Sequence, residues 1–370
     1  ITALEQVVDS ELSGNVIDLC PVGALTSKPY TFTSRPWELR KTETIDVMDA
    51  VGANIRVDAR GSEVMRIVPR LHEDVNEEWL SDKSRFVYDG LKRQRLDTPY
   101  VKVDGRLKPV GWGEAFAAIK DALDGVDGDR IGFLAGDMAC VESMTAAKDL
   151  AEKLGSTNLD CRQDGAAVGE GATAGWRFNS TIAGIEDADA ILLIGANTRK
   201  EAALLNARMR KTWVNSHGKL PVGVVGEDVD LTFPTTHLGN GPDTLTALVN
   251  GSGEFASVLK NAERPMIIVG NGALTRKDGA AVLAKARTLA ETVGAVTDGW
   301  NGFNVLHTAA SRVGGLMLGF LPGEGGRDTA GMLGGDMQVM FLLGADEADL
   351  SGLGDTFIVY VGSHGDHGAH

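Results

Sequence analysis

The sequence predicts an α/β protein built on doubly wound parallel sheets, preceded by a small β-rich module and a short N-terminal tail. Three observations lead there. Six short apolar runs end in glycine: IGFLAG (131–136), ILLIG (191–195), VGVVG (222–226), MIIVG (266–270), MFLLG (340–344) and FIVYVG (357–362). None alternates with polar residues, as expected of strands buried on both faces. Amphipathic segments such as EAALLNARMRKTW and DGAAVLAKARTLAETVG lie between them and supply the crossover helices that parallel order requires. Upstream, NIRVDARGSEVMRIVPR alternates and is broken at Arg60–Gly61, the form of a hairpin.

Taken in order, residues 1–40 read as a short helix (TALEQVVDSEL), a Cys-Pro turn at Cys20–Pro21, and an extended KPYTFTSRPWELRKT. Its two X-Pro steps disfavour helix. Residues 41–98 form the β-rich module, in which the hairpin gives way to the charged LHEDVNEEWLSDKSRFVYDGLKRQR. The α/β region spans 99–370. There WGEAFAAIKDAL puts Trp112, Phe116, Ile119 and Leu123 on one helical face, and the strand RIGFLAG follows. We expect 99–160 with 264–370 to make one subdomain and 161–263 the other. Glycines at strand ends let the chain turn closely at the carboxyl edge, where open α/β sheets bind ligands. No strand leads into G-x-G-x-x-G or G-x-x-x-x-G-K-[ST], so neither a dinucleotide fingerprint nor a phosphate loop is written here.

With 370 residues, 43% of them hydrophobic, the chain can fill real cores. A net charge of −15 repels nucleic acid and acidic membrane faces. No apolar run approaches the roughly 18 residues of a bilayer span. The three cysteines, Cys20, Cys140 and Cys161, are odd in number and far apart, which fits a reducing compartment better than a disulfide framework. The chain starts at Ile1 and stops at His370 directly after what reads as a strand, so it is expected to be a piece of something longer. Cys20 followed by Pro21 has the form of the last ligand of a ferredoxin cluster, yet one thiolate cannot hold a cluster.

The run GNVIDLCPVGALTSKPYTFTSRPWELRKTETIDVMDAVGANIRVDARGSEVMRIVPRLHEDVNEEWLSDKSRFVYDGLKRQRL resembles the large iron–sulfur subunit of respiratory NADH:quinone oxidoreductase, complex I. The likeness continues through NSTIAGIEDADAILLIGANTRKEAALLNARMRKTW to GSHGDHGAH and covers essentially the whole chain. In that family a ferredoxin-like region with one binuclear and two tetranuclear clusters precedes a domain resembling molybdopterin oxidoreductases. The resemblance implies that Cys20 is the last of four ligands of one 4Fe–4S cluster, its other three lying upstream of Ile1. Thiolate sulfur suits iron, and a proline after it stiffens the turn that presents it. It further implies an electron-transfer and scaffold role in a proton-pumping enzyme, with no bond-making residue in this stretch. The implied partners are the flavin- and NADH-binding subunit and the quinone-side hydrophilic subunits, without nucleic acid and without direct membrane insertion. The implied place is the peripheral arm, on the cytoplasmic face of a bacterial inner membrane or the matrix side of a mitochondrial one.

The α/β part also resembles formate dehydrogenases, whose amino-terminal module reads T-C-P-Y-C-G-V-G-C and later L-C-x-K-G. Those cysteine positions fall here on Asp46, Asp49, Ala53 and Ser81, which are poor hosts for iron–sulfur chemistry. That extra cluster is expected to be absent. The molybdenum ligand of those enzymes would fall near LDCRQDGAAVGEG, where Cys161 is the one candidate and reads better as a structural thiol. A pterin would touch Asn197, Arg199 and Glu227 on the loops after ILLIG and VGVVG, although no molybdopterin is expected. The alternative function is a molybdopterin-dependent oxidoreductase of the formate dehydrogenase type.

Other residues read as structural. His364, His367 and His370, with Asp366 between them, are spaced so that on a helix they fan out rather than converge on a metal. Cys140 reads as a small core filler. HEDVNEEW reads as a solvated face or subunit interface. Arg35, Trp37 and Arg40 read as an inter-domain clamp, since Trp and Arg anchor buried interfaces.

Overall fold

A computed structural model of the protein describes residues 9–365. Residues 9–91 and 170–308 form one compact unit, and residues 92–169 and 309–365 a second. Most of the helix expected near the N-terminus falls on residues 2–8, outside the described residues. Residues 9–12 are irregular backbone and turn. Ser10 is the reason: its hydroxyl accepts from Leu12 N at 3.3 Å, and its carbonyl accepts from the Ser13 hydroxyl. Such local bonds compete with helix. Helix α1 starts at Asn15 (Asn15–Leu19), whose buried amide side chain bridges to both backbone groups of Leu80.

The segment after Cys20 is not extended as the prolines suggested. It makes turns over 28–33, and Pro36 opens a single 3₁₀ turn (Pro36–Glu38). Proline bars a helix from continuing but suits its first position, and the Glu38 carboxylate caps that turn by accepting from Arg35 N at 2.8 Å. The clamp reading also fails within this chain. Trp37 is 80% exposed, and Arg35 and Arg40 are exposed beside it.

The β-rich module is a three-stranded antiparallel sheet of β1 (Arg40–Ile45), β2 (Asn54–Arg60) and β3 (Glu63–Pro69), in that order. The hairpin turns at Arg60–Gly61, with Arg60 opposite Glu63. Asp58 is wholly buried between the guanidinium groups of Arg56 and Arg66, each 2.8 Å away. Burial pushes its carboxyl up, but the two arginines outweigh that and hold it below the usual range. Helix α2 (Asp82–Phe86) follows, capped by the Ser81 hydroxyl.

In the second unit a hairpin of β4 (Tyr100–Val103) and β5 (Arg106–Pro109) leads to α3 (Trp112–Leu123). The helix forms where its spacing predicted, but none of its residues is buried. Trp112 and Phe116 instead lean on each other at 5.6 Å on an open face. Strand β6 (Ile131–Ala135), helix α4 (Val141–Lys153) and strand β7 (Asn158–Asp160) follow.

The chain then builds the other unit's sheet. Strand β8 (Ala190–Ile194) leads into α5 (Thr198–Glu201), α6 (Ala203–Asn215), β9 (Val222–Val225) and β10 (Thr236–Gly239). Next come α7 (Pro242–Val249), α8 (Glu254–Asn261), β11 (Pro265–Val269), α9 (Asn271–Leu274) and α10 (Gly279–Thr292). A two-residue hairpin, β12 (Val296–Thr297) with β13 (Trp300–Asn301), precedes β14 (Phe303–Val305). The five-stranded sheet is parallel throughout, in the order β10-β9-β8-β11-β14. The expected subdomain boundary at 264 is therefore misplaced. Strand β11 hydrogen-bonds along β8, with Met266 opposite Ile191, so 265–305 completes this sheet rather than the other.

Returning to the second unit, α11 (Arg312–Leu318), α12 (Thr329–Leu333), β15 (Val339–Leu343) and β16 (Phe357–Val361) complete a four-stranded parallel sheet ordered β16-β15-β6-β7. All six glycine-terminated runs are strands of these two sheets. The core strands β6, β8, β11 and β15 are buried at every residue. In the first unit, Ile55, Ile67 and Leu80 of the small module join Ile191, Leu193, Leu205 and Met209 in one hydrophobic cluster. Each fully buried aliphatic side chain there is worth about 1.5–3 kcal/mol. The run read as a solvated face or subunit interface keeps Glu73, Asp74 and Glu78 exposed, and part of it meets α6: Lys211 pairs with Glu77, and buried Arg208 donates to the Glu73 carbonyl at 2.7 Å.

Candidate functional site

Cys20 ends α1 as its C-cap, its N–H donating to Val16 O at 3.2 Å, and Pro21 turns the chain away. The half-buried sulfur lies in the turn that follows. The thiol donates to Val22 O at 3.1 Å, and backbone hydrogen bonding at Val22, Leu25 and Ala24 holds it below its usual value. A thiol held low gives up its proton more readily to become the thiolate, the form that binds iron. No second cysteine accompanies it, and no group of three or more potential metal-ligating residues occurs among the described residues.

The four positions read as lost cluster ligands, Asp46, Asp49, Ala53 and Ser81, are all buried and lie together. Asp46 N donates to Ala53 O at 2.8 Å. The Ser84 hydroxyl donates to Asp46 Oδ2 at 2.5 Å, and Ser81 Oγ lies 2.9 Å from Ser84 Oγ. Asp49 accepts from Val51 N and lies 3.4 Å from Lys83 Nζ. Burial pushes the Asp46 carboxyl up, and the neighbouring Asp49 charge adds to that against the Ser84 hydrogen bond.

At the carboxyl edge of the five-stranded sheet the strand-ending glycines leave a cavity of about 280 Å³. Gly195, Asn197, Glu201, Gly226, Glu227 and Arg276 line it, among others. Glu201 accepts from Asn197 N at 3.1 Å through one oxygen, while its other oxygen is buried without a partner. Burial holds that carboxyl above its usual value. Of the three residues proposed for this edge, Asn197 and Glu227 are present and Arg199 is not. Its guanidinium turns to Glu11 at 2.9 Å and Asp230 at 2.8 Å, lining a separate hollow of about 740 Å³.

Cys161 follows β7 and is 1% exposed. Burial pushes its thiol to about 12, with the Asp160 charge adding. A side chain at Gly315 would meet its sulfur at 2.9 Å, so α11 seals it. Cys140 is not core: it is exposed as the N-cap residue of α4, its sulfur 3.0 Å from Ser143 Oγ. His364 shares a hydrogen bond with the Ser363 hydroxyl at 2.8 Å, whereas Asp366, His367 and His370 lie outside the described residues.

Residues 95–370 match the family model for molybdopterin oxidoreductases. The chain belongs to that family. Upstream, residues 39–89 match the 4Fe-4S domain described as NADH-ubiquinone oxidoreductase NDSU1/NuoG-like, and residues 1–26 the ferredoxin-like domain of NADH-quinone oxidoreductase subunit 3. It is 47% identical over its full length to the mitochondrial NADH dehydrogenase [ubiquinone] iron-sulfur protein 1 of Solanum tuberosum, covering 49% of that protein. It is 48% identical, again over its full length, to the mitochondrial 78 kDa NADH-ubiquinone oxidoreductase subunit of Neurospora crassa, covering 50% of it. Against the 75 kDa NADH-ubiquinone oxidoreductase subunit of Reclinomonas americana the identity is 45% over 100% of this chain and 55% of the relative. The likeness read from the sequence is thus shown, and the chain spans about half the length of these relatives. Acetylene hydratase from Pelobacter acetylenicus shares the fold, with a TM-score of 0.52 at 12% identity over 70% of this chain and 44% of that one.

The family's iron–sulfur groups can be tested against the residues. At Cys20 a half-buried, unpaired thiol in the turn before Pro21 fits one cluster ligand. Across 39–89 there is no cysteine at all, and the oxygen donors there already satisfy one another, so that stretch does not fit a cluster. The signal for the buried set was in the sequence only as misplaced ligands. Ser84, which joins them, carried none.

Proposed function

We propose that this molybdopterin oxidoreductase relative is part of the large iron–sulfur subunit of an NADH:quinone oxidoreductase, relaying electrons from NADH toward quinone and serving as a scaffold. The Cys20 turn supports the reading: its half-buried sulfur, ahead of Pro21, would serve as one iron ligand. The iron group would supply one-electron transfer. The chain's part would be to present the Cys20 thiolate from a turn whose backbone hydrogen bonding holds the thiol below its usual value. Three further thiolates, and the other clusters of the relay, would come from sequence preceding this chain. The partners would be the flavin-bearing subunit and the quinone-side subunits of the peripheral arm, on the cytoplasmic or matrix side. No helix among the described residues is long and apolar enough to cross a membrane.

The cavity at the five-stranded sheet favours a second reading, a molybdopterin-dependent oxidoreductase. One observation weighs against it: Cys161, the candidate metal ligand, is sealed in the core and protonated. Low-temperature EPR with iron and molybdenum quantification on the full-length protein, wild type against Cys20→Ala, decides. Loss of one tetranuclear signal without molybdenum is the expected result. Unchanged signals would overturn the Cys20 assignment, and stoichiometric molybdenum would favour the second reading.

A further inference from the structure

A 4Fe–4S domain model fits residues 39–89, yet the chemistry that such a domain needs is missing. What occupies the same place is specific. The loop 46–53 and the start of α2 approach each other through groups that are all buried: Asp46, Asp49, Ala53, Ser81 and Ser84. Three of the four ligand-like positions are joined directly, through Asp46 N to Ala53 O, Ser84 to Asp46 and Ser81 to Ser84, while Asp49 pairs with Lys83 beside them.

We infer that residues 46–53 and 81–84 form an iron-free staple, in which the Ser81–Ser84–Asp46 chain of hydrogen bonds joins the two loops that thiolates and iron join in a cluster-bearing domain. The donor order is fixed by chemistry. Ser84 gives its hydroxyl proton to Asp46, so Ser81 gives its own to Ser84 and accepts from Ser84 N through a lone pair. Buried polar groups that lack partners are costly, and a connected network of neutral donors around one carboxyl avoids that cost without a metal. Asp49 is balanced separately by Lys83. Ala53 contributes only its carbonyl and its small volume. The module therefore keeps the place of a cluster while offering electrons no stop.

Two experiments on the full-length protein test this. In the first, Ser84→Ala and Asp46→Ala are compared with Asp46→Asn, which keeps an acceptor for Ser84. The two alanine variants are expected to lower the melting temperature by roughly 5 °C, in proportion to a lost buried network, with Asp46→Asn losing less and iron per chain unchanged in all three. Loss of iron in any variant would overturn the inference by making these residues ligands, and an unchanged melting temperature in both alanine variants would overturn the staple. In the second, the combined Asp46→Cys, Asp49→Cys, Ala53→Cys and Ser81→Cys protein is reconstituted anaerobically with ferric iron, sulfide and excess dithiol, which supplies the electrons. The four thiols lose their protons as they bind. A gain of about four irons per chain with a new reduced-state EPR signal is expected, and no gain would overturn the shared geometry.

Discussion

The two parallel sheets end in different ways at their carboxyl edges. Where β8 and β9 end, glycine and alanine leave the cavity lined by Asn197 and Glu227. Where β6 and β7 end, the protein fills the space with its own charges. Asp160, 1% exposed, grips Arg162 through both carboxylate oxygens at 2.8 and 3.0 Å. Arg312, also 1% exposed, donates to Cys161 O at 3.0 Å and to Asp164 at 2.9 Å, and Gln163 donates to Asp137. The strands are built alike, and the residues one or two places beyond them decide whether an edge can take a ligand. Fold fixes where a site could be, and side chains decide whether there is one.

The largest expected effect lies at the filled edge. Arg312→Ala removes a buried side chain, leaving a void and the Cys161 carbonyl without its guanidinium donor, while exposed Asp164 keeps the Ala166 amide; a loss of about 2–3 kcal/mol in urea unfolding is expected. A loss under about 1 kcal/mol would mean that this edge is not held by its charges. A matched pair of glycines sharpens the contrast. Gly195 and Gly344 have left-handed φ of 58° and 60° after β8 and β15. Alanine at either carries a strain of about 1–2 kcal/mol, but a Cβ at Gly195 meets Ala273 N at 2.5 Å while one at Gly344 meets nothing within 4 Å. Gly195→Ala should therefore be clearly the more destabilising, and equal losses would show that the open edge yields.

The smallest effect is in pH. Burial holds Asp137 at the filled edge and Glu201 at the open edge above their usual values, against hydrogen bonds from Gln163 and Asn197 respectively. Between the unfolded and the raised folded pKa the native chain keeps a proton that the unfolded chain has released, so stability falls as pH rises through that window. Asp137→Asn and Glu201→Gln should each flatten that decline in urea midpoints measured from pH 4 to 7. Glu11 gives the opposite slope. Burial raises it, but Arg199 and Lys200 outweigh burial and hold it at about 2, so its contribution is lost as pH falls from the ordinary carboxylate range toward 2.

Much of this was legible in the sequence. Unbroken apolar runs ending in glycine marked six strands, and alternation around Arg60–Gly61 marked the hairpin, because burial on two faces and on one leave different periods. The Cys20 turn was legible from its neighbours. Which sheet a strand joins was not, since β11 reads the same in either, and the boundary at 264 failed for that reason. Arg199 was misassigned because Glu11, 188 residues away, outcompetes the cavity for it. The missed strands β7, β10 and β14 have only three or four residues, too few to show a period. Nor does a helical face say whether anything covers it, and Trp112 and Phe116 are open.

The three cysteines are graded in access: Cys140 exposed, Cys20 half-buried, Cys161 sealed. If Cys20 is committed to iron, the thiol of this stretch open to a maleimide dye or spin label is Cys140, at the head of α4. That makes Cys140 a native marker within these 370 residues, from which a distance to paramagnetic iron can be measured by dipolar spectroscopy.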